Sequence, residues 1–231
     1  MNFLALAGFL GLPDDWDFLE WKNLNTIDWQ QFSLNSLESW GKAFNQSLNF
    51  SRGDSRILMG YSLGGRLALH ALIDQPSLWQ GAIIISAHPG LINDQERQLR
   101  QQRDLEWAKR FESENWDHLM CAWNGQEVFA NDGFSFSRKE KHYQRFKLVQ
   151  ALVGGSLGSQ IDLRKQIASL PFPILWITGA QDTRYCQLAQ SLTFSNSHSY
   201  WKSIEKAGHR VPWSQPQVFS EMVLTFLKEI A

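Results

Sequence analysis

One serine lies where its hydroxyl could act as a nucleophile. The stretch "MGYSLGGR" places Ser62 in a Gly-x-Ser-x-Gly pattern, after the apolar run at residues 56–59 and before a helical pattern at residues 65–73. Small residues two positions to either side indicate a backbone turn that is too sharp for larger side chains. Such a strand-to-helix turn holds a hydroxyl exposed above a sheet. The same pattern also occurs in ordinary turns, so a catalytic role requires partners elsewhere in the chain.

A nucleophilic serine needs a base that takes its proton and an acid that orients the base. Asp182 follows an apolar run in "GAQDTRY", and His209 lies in "EKAGHRVPW", after the last run and before the last helical pattern. The order serine, acid, histidine is that of α/β-hydrolases. A turn aspartate and a plain loop histidine are the alternative interpretations. Because each residue follows a predicted strand, we predict that Ser62, Asp182 and His209 form a catalytic triad.

Acyl-transfer and related chemistry also needs N–H donors that bind a developing oxyanion. The residue after the nucleophile supplies one donor and the loop after an earlier strand supplies another. In this chain the candidates are the backbone N–H groups of Leu63 and of Phe9, the latter in "AGFLGLPDDW". One such donor contributes about 3 kcal/mol to transition-state stabilisation. The glycines of that stretch are also compatible with a simple strand-to-loop turn.

Five apolar runs have the length and composition of buried parallel strands. Helical patterns lie between or after them, at residues 34–48, 65–73 and 216–230. Strands that alternate with helices predict right-handed crossovers, and therefore an α/β fold with a mostly parallel sheet flanked by helices. The strands are predicted at residues 3–6, 56–59, 82–86, 173–178 and, less regularly, 199–204.

The alternation of strands and helices stops between about residues 90 and 169. This interval begins with the charged, helical stretch "NDQERQLRQQRDLEWAKRF" and contains no strong strand pattern. It follows the carboxyl end of a predicted strand, which is where ligands bind in open α/β folds. We therefore predict one domain over residues 1–231 with a helical lid insertion.

Composition sets the class of protein and excludes some partners. The 231 residues are 43% hydrophobic, which supports a sizeable core, and 22 basic against 23 acidic residues leave a net charge of −1. This balance argues against nucleic acid or an anionic membrane as the partner. Cys121 and Cys186 belong to no C-x-x-C pair, which favours free thiols in a reducing compartment. Because no run approaches the roughly 18–20 apolar residues of a membrane span, we expect a soluble cytoplasmic protein.

Several stretches of the sequence resemble one enzyme family. They are "GFLGLPDDW", "GYSLGGRLAL", "W...EVFA", "GSLG.Q.DL" and, most specifically, "HPGL....ER..R..RD..WA.RF". The chain resembles the 2-succinyl-6-hydroxy-2,4-cyclohexadiene-1-carboxylate synthases, which belong to the α/β-hydrolase superfamily and act in menaquinone or phylloquinone biosynthesis. The resemblance implies a lyase that eliminates pyruvate from 2-succinyl-5-enolpyruvyl-6-hydroxy-3-cyclohexene-1-carboxylate and hydrolyses nothing. It also implies a small polycarboxylate substrate, no cofactor and no metal.

The chain departs from the pattern of that family in three places. Ala7-Gly8 stands where the family usually has His-Gly, and "NLNTIDW" replaces a common Asp-x-x-Gly-His-Gly loop. The chain also begins at what would be the third strand of the family, so we expect a reduced sheet of about six strands.

Arginines bear on the class of substrate because their guanidinium groups bind carboxylates bidentately. Arg66 lies four residues after Ser62, one helical turn along, and so can face the pocket. Arg97, Arg100 and Arg103 recur every third residue; each step rotates about 60° around a helix, so the three cannot all converge. From spacing alone, this segment is better explained as a solvated helix, with Glu96–Arg100 and Glu106–Arg110 as ordinary ion pairs four residues apart.

The family resemblance adds specific expectations for four residues. It implies that Arg100 binds a substrate carboxylate, and that Arg145, in "HYQRF", is a further substrate-binding arginine. Tyr61 and Trp123 match positions that line the pocket of the family, with plain core packing as the alternative.

Three functions remain open from the sequence. A lyase would use the triad to abstract a ring proton, whereas a serine esterase or thioesterase would use it to form an acyl-enzyme. A non-catalytic binding protein is the third possibility, and a complete triad argues against it. An arginine-rich lid favours the lyase, since the acyl pocket of an esterase is normally apolar.

Overall fold

A parallel sheet of six strands forms the centre of the molecule. The computed structural model describes residues 2–49 and 56–230. The strands lie in the order β2-β1-β3-β4-β5-β6, and every neighbouring pair is parallel. The predicted α/β fold and the strand count are therefore confirmed. The strands are β1 (Asn2–Leu6), β2 (Leu24–Ile27), β3 (Arg56–Tyr61), β4 (Gly81–Ile85), β5 (Ile174–Gly179) and β6 (Tyr200–Ile204).

The central strands are buried on both faces, which explains their continuous apolar composition. In β3, Leu58 packs into one hydrophobic cluster while Ile57 and Met59 pack into another on the opposite face. The first cluster includes Trp40 of a helix described below, and the second includes Phe226 near the carboxyl terminus. Helices therefore cover both sides of the sheet, as a parallel sheet requires.

Strand β2 was not predicted from the sequence. Its four residues, LNTI, are half-buried or exposed because the strand lies at the edge of the sheet and pairs only with β1. An edge strand that mixes polar and apolar residues lacks the unbroken apolar run on which the prediction of the other strands rested.

Helices occupy most of the connections between strands. The helix predicted at residues 34–48 begins three residues later, because the Ser36 side chain accepts a hydrogen bond from the backbone N–H of Ser39 and caps it. The helices are α1 (Leu37–Ser47), α2 (Leu63–Asp74), α3 (Asp94–Ser113), α4 (Trp116–Asn124), α5 (Arg145–Gly154), α6 (Arg164–Ala168), α7 (Thr183–Gln190), α8 (Val211–Ser214) and α9 (Pro216–Glu229).

The connection from β4 to β5 forms a lid of helices. Residues 86–173, all of them described, contain α3 to α6 and no strand. Phe111 of α3, Leu119 of α4 and Leu148 of α5 form a small core that also includes Leu10, in the loop after β1. The lid therefore packs against the carboxyl edge of the sheet. In the part of the chain that the structure describes, no helix has the length and apolar character needed to cross a bilayer.

His70 gives the stability of this fold a pH dependence. It is 5% exposed on α2, its Nδ1 lies 3.8 Å from a carboxylate oxygen of Glu38, and burial lowers its pKa from 6.5 to about 4. The unfolded chain therefore binds a proton at higher pH than the folded chain does. As pH falls from about 6.5 towards 4, this residue removes stability.

We predict that His70→Leu reduces this loss. Between pH 7 and pH 5, the decrease in the free energy of unfolding should be about 2 kcal/mol smaller than in the unsubstituted protein. Urea unfolding of both proteins at the two pH values measures it. Because each protein is compared with itself at the two pH values, the effect of the substitution on packing cancels. An equal decrease in the free energy of unfolding in both proteins would show that His70 is not the source of the pH dependence.

Candidate active site

Ser62 lies in a strained turn between β3 and α2. Its backbone angles are φ 53° and ψ −113°, a region that non-glycine residues rarely adopt and that costs about 1–3 kcal/mol. A Cβ at Gly60 would overlap the carbonyl oxygen of Gly64, and a Cβ at Gly64 would overlap that of Leu6. The two glycines of the motif are therefore required by close backbone approach. The turn is also tied to β4, because the Ser62 N–H donates to the carbonyl of Ile85 at 2.9 Å.

The structure brings the three predicted triad residues into one hydrogen-bonded chain. His209 Nε2 lies 3.1 Å from Ser62 Oγ, and His209 Nδ1 lies 2.8 Å from Asp182 Oδ2. Because a carboxylate only accepts, the Nδ1–H donates to Asp182, which leaves Nε2 as an acceptor for the serine hydroxyl. The other Asp182 oxygen accepts from the Tyr185 N–H and caps α7. The aspartate is thus fixed from two directions.

Aromatic rings enclose the imidazole of His209, which is 2% exposed. The rings of Tyr185, Tyr61 and Phe129 have their centroids 4.7, 5.5 and 5.8 Å from that of His209. This packing limits the access of water to the base and restricts rotation of its ring.

The candidate oxyanion donors lie beside the serine. Leu63 is the first residue of α2, so its N–H has no acceptor within the helix. Phe9 lies in the turn after β1, and both residues line the cavity at Ser62. Leu6 of β1 lies opposite Gly60 of β3 in the sheet. Phe9 lies three residues after Leu6, and Leu63 lies three residues after Gly60. The turn is closed by the Gly11 N–H, which donates to the Gly8 carbonyl at 2.9 Å.

Two cavities meet at Ser62. The larger has a volume of about 840 Å³, within the size range of small-molecule sites, and is also lined by Asp182 and His209. The smaller, about 60 Å³, is lined by Tyr61 and Trp213 among other residues. The larger cavity is rich in cations: Arg66, Arg100, Arg103, Arg110 and Arg184 line it.

Arg66 is a buried cation that lines the larger cavity. It is 8% exposed, and its Nη1 donates to the Gly155 carbonyl at 2.7 Å and to Gln160 Oε1 at 3.3 Å. Burial and the nearby Arg100 lower its pKa to about 10, so it stays charged at neutral pH. Among the described residues no carboxylate forms an ion pair with it. Since an unpaired buried charge is costly, the site favours an anionic ligand.

The arginines of α3 separate into two groups. Arg100 lies at the cavity, where both carboxylate oxygens of Asp104 accept from its Nε at 2.8 and 3.0 Å. Asp104 is 4% exposed and is itself held by the Ser156 hydroxyl at 2.7 Å. Arg103 also lines the cavity, whereas the Nε of Arg97 donates to the Gly158 carbonyl outside it. Only Arg97 therefore diverges from Arg100.

Arg145, expected to bind substrate, is bonded within the lid and lines neither cavity at Ser62. Its Nε donates to Glu140 at 2.6 Å, its Nη1 donates to the Phe111 carbonyl at 2.9 Å, and its guanidinium lies 5.5 Å from the Trp116 ring centre. Arg145 is not one of the described residues that line the two cavities. The side chain is held within the lid, so this structure does not support a carboxylate contact.

Tyr61 and Trp123 both lie at the site. Tyr61 lines the smaller cavity, and Trp123 lines both cavities and packs on Phe9 with a ring distance of 4.7 Å. His88 lines the larger cavity, and its Nδ1 accepts from the Gly90 N–H at 3.0 Å. Burial lowers the pKa of His88 to about 3, so it is neutral and carries its proton on Nε2.

Sequence reasoning missed cations that adjoin the predicted triad. Arg184 lies two residues after Asp182 and lines the larger cavity, and Arg210 follows His209 and lines the smaller one. Arg138 also lines the smaller cavity and forms a buried ion pair with Asp15. Proximity in sequence to the candidate acid and base was the signal for the first two.

The geometry predicts that Ser62 reacts with a fluorophosphonate probe, which captures activated serines. His209→Ala should slow labelling at least about 100-fold, because the serine then lacks its base. His118→Ala, an exposed histidine of α4, should label at the unsubstituted rate. Mass spectrometry of the labelled peptide measures both. Equal labelling of all three proteins would show that His209 does not activate the serine.

Comparisons with known proteins identify the family. No protein-family model matches the chain. The 2-succinyl-6-hydroxy-2,4-cyclohexadiene-1-carboxylate synthase of Serratia proteamaculans (strain 568) is 33% identical over 177 residues, which cover 74% of this chain and 67% of that protein. The synthase of the same name from Escherichia coli O1:K1 / APEC is 32% identical over 163 residues, covering 69% of this chain and 63% of that protein.

A solved structure agrees with the fold. MenH from S. aureus superposes with a TM-score of 0.86 at 23% identity, covering 100% of this chain and 94% of that one. The chain spans about two thirds of the length of the two synthases and nearly the whole of this structure. With a third of the aligned residues identical and the fold shared, the chain belongs to the family of 2-succinyl-6-hydroxy-2,4-cyclohexadiene-1-carboxylate synthases, on an α/β-hydrolase fold.

Proposed function

We propose that this chain eliminates pyruvate from 2-succinyl-5-enolpyruvyl-6-hydroxy-3-cyclohexene-1-carboxylate and releases 2-succinyl-6-hydroxy-2,4-cyclohexadiene-1-carboxylate, a step of menaquinone or phylloquinone biosynthesis. The observation that carries the proposal is the buried cation Arg66 in the same cavity as the hydrogen-bonded Ser62, His209 and Asp182. The triad supplies a base, and the cavity favours an anion. Both are needed for proton abstraction from a polycarboxylate.

The proposed reaction begins at the ring carbon that bears the succinyl group. His209 takes the proton of Ser62, and the serine oxygen takes the proton at C2, which is acidified by the adjacent ketone. As the C2–H bond breaks, a C2=C3 double bond forms, the C3=C4 bond moves to C4=C5, and the C5–O bond breaks. The leaving enolpyruvate takes a proton back from the imidazolium and becomes pyruvate. Ser62 acts as a base here and forms no covalent intermediate.

Negative charge develops on the succinyl ketone oxygen during proton abstraction. The N–H groups of Leu63 and Phe9 are the proposed donors to that oxygen, and the positive end of the α2 dipole adds to their effect. Asp182 stabilises the imidazolium that forms on His209. These groups are fixed before substrate binds, which is the condition for effective electrostatic stabilisation.

The arginines are proposed to hold the carboxylates of the substrate. The guanidinium of Arg100 is oriented by Asp104 through Nε, which leaves its two terminal nitrogens for a bidentate contact. Arg66 lines the same cavity. Binding at these two points would place the ring above Ser62.

A serine esterase or thioesterase is the second candidate, because the same triad is able to form an acyl-enzyme. The lining of the larger cavity disfavours it. Five arginines line that cavity, and Arg66 forms no ion pair with a carboxylate among the described residues; an apolar acyl chain would desolvate that charge without pairing it.

We predict that the purified protein releases pyruvate from the enolpyruvyl substrate. Ser62→Ala, His209→Ala and Asp182→Asn should each lower kcat about 10³-fold or more, because the three residues act as a unit. Lactate dehydrogenase coupling measures pyruvate, and His118→Ala is the matched control. Mass spectrometry during turnover should detect no adduct on Ser62. Absence of pyruvate release would refute the lyase, and a productive acyl-serine would establish the esterase.

Arg100 is predicted to contribute more to activity than its neighbour Arg97. A charged hydrogen bond is worth about 1.5–3 kcal/mol, so Arg100→Ala should lower kcat/KM about 10- to 150-fold. Arg97→Ala should change it less than about 3-fold, since that side chain bonds to a backbone carbonyl outside the cavity. Arg100→Lys should recover part of the loss, because an ammonium lacks the planar fork. Steady-state kinetics at fixed ionic strength measure all three, and equal losses for the two alanine variants would contradict the contact.

A further inference from the structure

A short segment of the lid is bonded to both loops that carry the acid and the base of the triad. We call residues 129–132 the clamp segment. The Asn131 side chain donates to the Gln181 carbonyl at 2.9 Å, and Asp132 Oδ1 accepts from the Arg210 N–H at 2.9 Å. Gln181 immediately precedes Asp182, and Arg210 immediately follows His209. The clamp segment thus bonds to a direct chain neighbour of each residue.

We call residues 205–210, the loop between β6 and α8 that carries His209, the histidine loop. This loop contacts Asp132 on both sides of His209. A Cβ at Gly208 would overlap Asp132 Oδ1, so the glycine permits the carboxylate to lie directly against the backbone. Arg210, the next residue but one, donates its N–H to the same oxygen. The backbone on either side of the imidazole is therefore held by one side chain of the lid, which is 1% exposed.

The Arg210 side chain extends this contact across the lid. Its Nη2 donates to Asn124 Oδ1 at 2.6 Å and its Nη1 donates to the Phe134 carbonyl at 3.0 Å. Its guanidinium carbon lies 3.9 Å from the ring centre of Phe129, whose ring also contacts the imidazole. The guanidinium is thus bonded to the lid before and after the clamp segment.

Stability alone does not account for burying this pair. Arg210 is 6% exposed, and its Nε lies 3.7 Å from Asp132 Oδ2. Well-packed apolar residues often stabilise a protein as much as a buried ion pair does, whereas charged, directional bonds specify one geometry. The geometry specified here is that of the loop carrying the candidate base.

We propose that Asp132 and Arg210 are positioning residues that fasten the histidine loop to the lid and thereby hold His209 Nε2 at hydrogen-bond distance from Ser62 Oγ. Neither residue touches the reacting atoms in this assignment. The measurement of kcat rests on the proposed function. The measurement of the His209 NMR signal rests on the triad geometry alone.

The experiment compares Asp132→Ala, Asp132→Asn and Asn131→Ala with the unsubstituted protein. Misplacement of the base should lower kcat of Asp132→Ala about 10- to 100-fold while KM changes less than about 3-fold. Asp132→Asn should recover most of the loss, because its amide oxygen still accepts the Arg210 N–H. Asn131 is exposed, so Asn131→Ala keeps the test available if Asp132→Ala does not fold, and its kcat should fall about 3- to 10-fold.

The matched control is Arg164→Met, which removes an arginine that donates to Asp162 and to the Gly90 carbonyl but lines neither cavity. Its kcat should stay within about 2-fold, as expected for substitution away from the site. Proton NMR at fixed pH should show the downfield Nδ1–H signal of His209 in the unsubstituted and control proteins, and a shifted or lost signal in Asp132→Ala.

Two results would overturn the positioning role. One is an unchanged NMR signal in folded Asp132→Ala or, if that variant does not fold, in Asn131→Ala. The other is a fall in kcat of Arg164→Met equal to that of the clamp variants. If the unsubstituted protein releases no pyruvate, the proposed function fails, but the NMR comparison still decides whether the clamp segment places His209.

Discussion

The strained backbone at Ser62 is the constraint on which the rest of the site depends. A positive φ at a serine persists only where the surrounding structure determines it. Here the bond from its N–H to β4 and the close approach of Gly64 to the carbonyl of Leu6 supply that determination. Because β3 is buried along its whole length, the strain is supported by the core of the sheet. The hydroxyl thereby stands at the point where the two cavities meet.

Charge in the site is arranged in two layers. Within the triad, each side chain is hydrogen-bonded to the next, and the imidazole is enclosed by aromatic rings. In the larger cavity, by contrast, Arg66 is held by neutral acceptors, and Arg100 is paired with Asp104 through its Nε only. The triad determines which proton moves. The arginines of the larger cavity determine which class of molecule binds there and supplies that proton.

The sequence was most informative where burial is complete. Strands β1, β3, β4 and β5 were predictable because strands covered on both faces are continuously apolar, while the half-exposed β2 carried no such pattern. Ser62, Asp182 and His209 were found because each follows a strand end, and parallel strands bring those ends together. The expectation for Arg145 rested on the family resemblance and on no strand end, and Arg145 lines neither cavity. No strand end fixes the position of a side chain in a helical lid, and its contacts depend on how the lid helices pack. The catalytic roles themselves stay predictions.

The register of β1 against β3 has a consequence for how the site tolerates change. Phe9 and Leu63 lie the same number of residues beyond the pair Leu6 and Gly60. The register of the two strands therefore sets the spacing of the two donors. Inserting one residue in either connection would displace a donor by about 3.3 Å, more than a hydrogen bond accommodates. Replacing a side chain in either connection leaves this register unchanged. Loop length is therefore constrained at this site by strand register, in addition to the constraint that close backbone approach places on Gly60 and Gly64.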